Sequence, residues 1–179
     1  MADGNIIFNN KRNQYEITEV YCGNGRGKTT LAIGQALRAS SQGKSVIIIQ
    51  FLKGNERREL DFLEELDQLD IKIFRFEKME TCYDQLNEEE QVEEERNILN
   101  GLNFARKVIA TQECDFLVLD EILGLLDKHI ATVDMVVGLL KQKDESMHLI
   151  LTGKRVAPGI LDYVDSVTTI TTLGREQNS

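Results

Sequence analysis

The sequence predicts an α/β fold, a doubly wound and mostly parallel sheet of about six strands. Two observations carry that expectation. Short runs rich in Val, Ile and Leu alternate with longer segments of helical period along the 179-residue chain. A glycine-rich turn joins the first run to the first helical segment, the place where a strand hands over to a helix.

The strand candidates are residues 16–21, 46–51, 71–76, 116–119, 149–152 and 166–171. Most are continuous apolar or β-branched runs bounded by polar residues or glycine, the pattern of strands buried on both faces of a parallel sheet. Helices are expected over 29–40, 56–66, 88–111, 132–141 and 158–163. In the second of these, Leu60, Leu63 and Leu66 recur three apart. The third is the longest. Asn87 stands where an N-cap belongs, Glu90 completes the capping-box spacing, and the acidic first turn complements the helix dipole. Along it, Ile98, Leu102, Ala105 and Ile109 mark a buried stripe. Strands alternating with helices imply right-handed crossovers, and ligands then bind at the carboxyl ends of the strands. Pro158 is the single proline and no linker interrupts the pattern, so residues 15–174 read as one domain. Residues 1–14 read as a flexible N-terminal arm and 175–179 as a tail.

The charge balance, 21 basic against 30 acidic residues for a net −9, argues against a nucleic-acid partner, whose phosphates call for a basic surface. Cys22, Cys82 and Cys114 are odd in number and widely spaced, without a zinc pair or a secretory disulfide framework. The polar start and the shortness of every apolar run exclude a signal peptide or membrane span, and point to a cytoplasmic protein.

The chemistry concentrates in "CGNGRGKTT", Cys22 to Thr30. It departs from the common G-x-x-x-x-G-K-[ST] pattern only in placing Cys22 at the first position. Glycines let the backbone curl until successive N–H groups face inward as an anion nest, and the helix N-terminus adds partial positive charge. Lys28 brings a full charge to the phosphates and Thr29 a hydroxyl for Mg²⁺. This is a phosphate loop of P-loop NTPase type. Cys22 admits two readings, a small residue that fits the turn or a thiol activated by the helix end. "DFLVLDE" supplies the second element: an apolar strand ending in Asp120 and Glu121, which at the carboxyl edge face the loop and can hold Mg²⁺ directly or through water. "LILTGKR" supplies a third, with Lys154 and Arg155 either contacting phosphates or lying on the surface. His129 and His148 carry no ligand spacing, and the 88–95 acidic run reads as a solvated helix start.

Taken together, these segments resemble the ATP:corrinoid adenosyltransferases. The family's G-N-G-K-G-K-T-T loop is matched by Gly23, Asn24, Gly25, Arg26, Gly27, Lys28, Thr29 and Thr30, with Arg26 in place of a lysine. "QFLKG", "VLDE", "LTGK" and "APGILDYVDSVT" resemble further family elements in the same order, with Lys154 for an arginine. The resemblance implies that the missing first glycine is a family trait. It also implies an enzyme that binds ATP so that a reduced Co(I) corrinoid attacks the ribose 5′-carbon and triphosphate leaves. By carry-over, residues 24–30 bind ATP, with Lys28 and Glu121 catalytic, and Thr29, Glu121 and Asp120 hold Mg²⁺. Arg38 lies near the nucleotide or the corrinoid, Lys154 near the nucleotide, and Phe51, Lys53, Cys82 and Tyr83 are candidates for the corrinoid side. The implied partners are a flavoprotein reductant and a second copy of the chain.

Two departures fall on the corrinoid side. The family's aromatic segment after the third strand is replaced by "FEKMETCYDQL", residues 76–86, where Tyr83 supplies an aromatic ring. The sequence also ends soon after the last strand, without the family's further segment. Beside the adenosyltransferase stand two alternatives: a non-enzymatic nucleotide-binding paralogue that carries corrinoid or binds a partner, and a conventional Mg²⁺-dependent ATPase or kinase.

Overall fold

Six strands form a single sheet in the order β3-β2-β4-β5-β1-β6, and every pairing is parallel. The computed structural model describes residues 17–52, 60–66, 68–77 and 81–173. The elements, in chain order, are β1 (Thr18–Cys22), α1 (Lys28–Ser41), β2 (Val46–Gln50), α2 (Asp61–Glu64), β3 (Ile71–Arg75), α3 (Glu88–Thr111), β4 (Phe116–Asp120), α4 (Ile122–Asp127), α5 (Val133–Leu140), β5 (His148–Thr152), α6 (Pro158–Leu161) and β6 (Ser166–Thr169). A single 3₁₀ turn, Tyr83–Gln85, precedes α3. The Lys53 candidate, residues 56–59 of the expected second helix, and the arm and tail at the two ends lie outside the described residues.

The strands alternate between two cores. In β2, Val46 and Ile48 point into a core shared with α1 and α2, while Ile47 and Ile49 point into a larger one shared with α3, α4 and α5. Phe116 and Val118 of β4 follow the first pair, Leu117 and Leu119 the second. A period of two with both faces covered is the reason these strands read as continuous apolar runs. It makes the sheet doubly wound.

Helix α1 buries Ala32, Ile33, Ala36 and Ala39, small side chains that let it lie close to the sheet. Helix α3 buries the expected stripe of Ile98, Leu102, Ala105 and Ile109. Its capping box is formed, Glu90 N–H donating to Asn87 Oδ1 and Asn87 N–H to Glu90 Oε2, each at 3.0 Å. Where α3 crosses Phe51 and Phe76, glycine is required: a Cβ at Gly101 would stand 2.9 Å from both rings.

Several elements differ from expectation, α6 among them, which ends at Leu161 rather than 163. Helix α2 stops at Glu64, so Leu60 and Leu63 are buried while Leu66, beyond the helix end, is exposed. The short α4 was not legible as a helix because Ile122, Leu123, Gly124 and Leu125 are all buried, and a helix covered on all sides has no amphipathic period. Strand β6 ends at Thr169 rather than 171 because the chain turns inward there. Ile170 accepts the Gly25 N–H at 2.9 Å, and Thr172 Oγ1 the Arg26 N–H at 3.3 Å.

The turn before α3 is fastened on both sides. Tyr83 donates to Glu95 Oε1 at 2.5 Å, and Lys128, over the Tyr83 ring, pairs with Asp84. Burial, then the Glu95 hydrogen bond and the nearby carboxylates, push the Tyr83 phenol up to about 12.

Two measurements follow from this packing. Gly23 has φ 112°, and a Cβ there would stand 2.2 Å from the Ile170 carbonyl oxygen. Gly23→Ala is therefore expected to lower unfolding stability in urea by about 1–3 kcal/mol. Gly138→Ala in α5, with nothing within 4 Å, is expected to raise it by about 0.5–1 kcal/mol. For Tyr83, a folded value above the unfolded one means its contribution is complete below pH 10 and lost as pH rises toward about 12. Comparing alkaline stability profiles, the wild type is expected to lose more across that window than Tyr83→Phe.

Candidate functional site

The first strand delivers its chain into the loop, and the loop is closed from outside by backbone hydrogen bonds. Gly23 N–H donates to the Lys154 carbonyl at 2.9 Å, and Gly25 N–H to that of Ile170. These bonds turn the outer edge of the loop toward β5 and β6. Inside the curl, Lys28 Nζ donates to the carbonyls of Gly23 at 2.8 Å and Gly25 at 2.9 Å. The lysine therefore sits at the centre of the loop with its charge held by backbone oxygen. Gly27 begins α1 in the left-handed region, φ 102°, and no side chain caps that helix start. By contrast α3 and α5 are capped by Asn87 and Thr132. Backbone amides at such an uncapped N-terminus, with a lysine beside them, form a receptor for a polyanion.

Opposite the loop, β4 ends in Asp120, which is fully buried. Its Oδ1 accepts from Thr152 Oγ1 at 2.7 Å and from Thr29 Oγ1 at 2.9 Å; its Oδ2 lies 3.2 Å from Thr29 Oγ1 and accepts from Gln50 Nε2 at 3.2 Å. The loop threonine and the strand-end carboxylate are thus in direct contact across an intervening strand, β5. The next residue, Glu121, is held at φ 62°, a conformation uncommon for a side chain larger than glycine. Its N–H donates to Thr152 Oγ1 at 2.8 Å, and its carboxylate lies over Gly124, where a Cβ would stand 3.0 Å from Oε1. The strained turn presents two successive carboxylates at the same sheet edge.

The donor set fits a divalent cation of the Mg²⁺ kind. Thr29, Asp120 and Glu121 offer hard oxygen only. Mg²⁺ is held in this manner, through one or two carboxylates with the remaining positions left to phosphate oxygen and water.

The other residues singled out from the sequence fall in three places. Gly27, Thr30 and Arg38 line one groove of 570 Å³ along α1, with Leu31, Gly34 and Gln35. The exposed Asn24 and Arg26 stand on the loop, and Lys154 meets it through its backbone while its side chain is exposed. On the corrinoid side, Phe51 is fully buried under α3, Tyr83 is half-buried against Glu95, and Cys82 is exposed. Phe51 is thus part of the core, not of a surface. Cys22 is buried and 3.5 Å from Thr169 Oγ1. Arg155 pairs with Asp127 at 2.8 Å, away from the loop. Gln50 and Thr152, inside the "QFLKG" and "LTGK" elements, carried no role in the sequence reading. Their signal was a polar residue closing an apolar strand, in "VIIIQ" and "HLILT".

Comparison with known proteins gives the family. The family model described as ATP:corrinoid adenosyltransferase BtuR/CobO/CobP matches residues 14–177. The chain is 30% identical over 154 residues to the corrinoid adenosyltransferase of Escherichia coli K12, covering 83% of this chain and 73% of that one. It is 28% identical over 152 residues to corrinoid adenosyltransferase CobA of Salmonella typhimurium LT2, with the same coverage of 83% and 73%. Against the Pseudomonas aeruginosa corrinoid adenosyltransferase, identity is 26% over 163 residues, covering 88% and 75%. Among solved structures, a KaiC-like protein from Pyrococcus horikoshii shares the fold, with a TM-score of 0.55, 18% identity and coverage of 88% and 74%. A family model matching residues 14–177 and a relative 30% identical over most of both chains show that the chain belongs to the ATP:corrinoid adenosyltransferase family.

Proposed function

We propose that the protein transfers the 5′-deoxyadenosyl group of ATP to the Co(I) centre of a corrinoid substrate, releasing triphosphate. The observation that carries this reading is family membership over residues 14–177 in a chain whose phosphate loop is already curled around Lys28. Cobalt supplies the electron pair that forms the Co–C bond, the C5′–O bond breaks, and triphosphate departs with that bond's electrons. Charge therefore builds on the leaving group.

Lys28 and the first amides of α1 are aimed where that charge appears, and donors fixed in advance lower the barrier more than donors that must reorganise. Thr29, Asp120 and Glu121 would hold Mg²⁺, which supplies further positive charge to the phosphates. Arg38, at the other end of the groove from Gly27, serves the nucleotide. On the corrinoid side, Lys53, Cys82 and Tyr83 remain the candidate contacts, and Phe51 lies in the core against which Tyr83 packs. A homodimer, a flavoprotein reductant and a cytoplasmic setting belong to the same reading and rest on the resemblance. Among the described residues no helix is long and apolar enough to cross a membrane.

The test is an anaerobic assay with ATP, Mg²⁺ and chemically reduced corrinoid, following the corrinoid spectrum and separating the phosphate products. Light-sensitive adenosylcorrinoid and intact triphosphate in equal amounts are expected. ADP and phosphate formed without corrinoid would overturn the reading in favour of an ATPase, and ATP binding without any Co–C bond in favour of a carrier. Lys28→Ala is expected to lower kcat by about 10²–10³-fold, the scale for removing one preorganised donor to developing charge. Chelation of Mg²⁺ with EDTA is expected to abolish turnover, and added Mg²⁺ to restore it.

A further inference from the structure

The last residues of four neighbouring strands are Arg75 in β3, Gln50 in β2, Asp120 in β4 and Thr152 in β5. The register places Gln50 directly beside Arg75 on one side and Asp120 on the other. All four side chains continue the alternation that points Ile73, Ile48, Val118 and Ile150 into the α1-side core. They form one polar row along the carboxyl edge of the sheet, which meets the loop where Asp120 accepts from Thr29.

Hydrogen bonding gives the row a direction. Arg75 Nε donates to Gln50 Oε1 at 3.1 Å, and Gln50 Nε2 donates to Asp120 Oδ2 at 3.2 Å. A guanidinium has donors and no acceptor. The amide oxygen of Gln50 must therefore face Arg75, which leaves its NH₂ for Asp120. Turning the amide over would set donor against donor and oxygen against oxygen, losing both bonds. Arg75 is in turn paired with Asp61 of α2, Nη2 to Oδ1 at 2.9 Å. Gln50 is 3% exposed, so water is a poor substitute for either partner.

We propose that Gln50 and Arg75 are positioning residues for Asp120: Arg75 orients the Gln50 amide, and Gln50 fixes the carboxylate in the rotation that serves Thr29 and the divalent cation. Neither residue touches ATP or metal in this scheme. The inference rests on the reading of Thr29, Asp120 and Glu121 as the metal-holding set.

The full chain is titrated with Mn²⁺, a paramagnetic stand-in for Mg²⁺, at saturating ATP, with bound metal followed by electron paramagnetic resonance. ATP affinity in EDTA and the unfolding midpoint are measured on the same samples. Gln50→Leu is expected to weaken Mn²⁺ binding by about 10–100-fold, the usual cost of losing a partner that orients a metal ligand, with ATP affinity in EDTA unchanged. Arg75→Met is expected to weaken Mn²⁺ binding by less. The double variant is expected to be no weaker than Gln50→Leu alone, because Arg75 acts through Gln50. Should Gln50→Leu fail to fold, Gln50→Met takes its place, and Arg75→Met stands as an independent arm. Wild-type Mn²⁺ affinity in the Gln50 variant, additive losses in the double variant, or an equal loss of ATP binding in EDTA would overturn the proposal while leaving the metal site intact. A wild-type chain that binds no Mn²⁺ with ATP overturns the metal site, and this inference with it.

Discussion

Asp120 is a carboxyl group with no solvent exposure at the end of a central strand, and burying such a group without partners costs several kcal/mol. Among the described residues it accepts from three other elements: Thr29 from α1, 91 residues away in sequence, Gln50 from β2, 70 away, and Thr152 from β5, 32 away. Each hydroxyl or amide reaches it only if the strand or helix carrying it sits in one register. A slip of a single residue would send Gln50 or Thr152 into the opposite core. The satisfied carboxyl group therefore locks the functional edge of the sheet as firmly as the apolar cores lock its faces.

The strand order has a direct chemical consequence. Placing β5 between β1 and β4 sets the phosphate loop and the carboxylate strand one place apart, and Thr152 fills the gap between them. From there Thr152 serves both strands at once, donating to Asp120 and accepting the N–H of the strained Glu121. The left-handed turn at Glu121 costs roughly 1–3 kcal/mol. It lets β4 pass into α4 at once while both carboxyl groups stay at the sheet edge. Strain held at a site by surrounding packing is a common accompaniment of function.

The loop is pre-curled for a related reason. β6 leaves the ladder and closes on it through Ile170 and Thr172, leaving no room for a Cβ at Gly23 or Gly25, while Lys28 bonds the inner carbonyls. A backbone tied at this many points holds the shape of the loop from the protein side. That suits a reaction whose difficulty is the departure of a highly charged group.

Much of this was legible in the chain. Parallel, doubly covered strands announce themselves as unbroken apolar runs such as "VIIIQ" and "FLVLD". The capping box at Asn87 and Glu90 fixed the start of α3. The glycine loop with Lys28 and Thr29, followed by a strand ending in Asp120 and Glu121, already pointed to a nucleotide-binding protein, because local spacing determines what backbone amides and neighbouring side chains can do. Which bond breaks was implied by the family resemblance, not by the spacing. Helix α4 was not legible, being apolar all round, nor was the burial of Phe51, which depends on Gly101 of a distant helix. Above all, Gln50, Arg75 and Thr152 look like ordinary strand ends when read one at a time. What joins them to Asp120 is cross-strand register, a relation between residues far apart in sequence that no local pattern encodes. The sequence by itself determined the fold class and the anion-binding loop; only the tertiary structure decided which polar strand ends meet, because pairing and strand order, not spacing along the chain, set those distances.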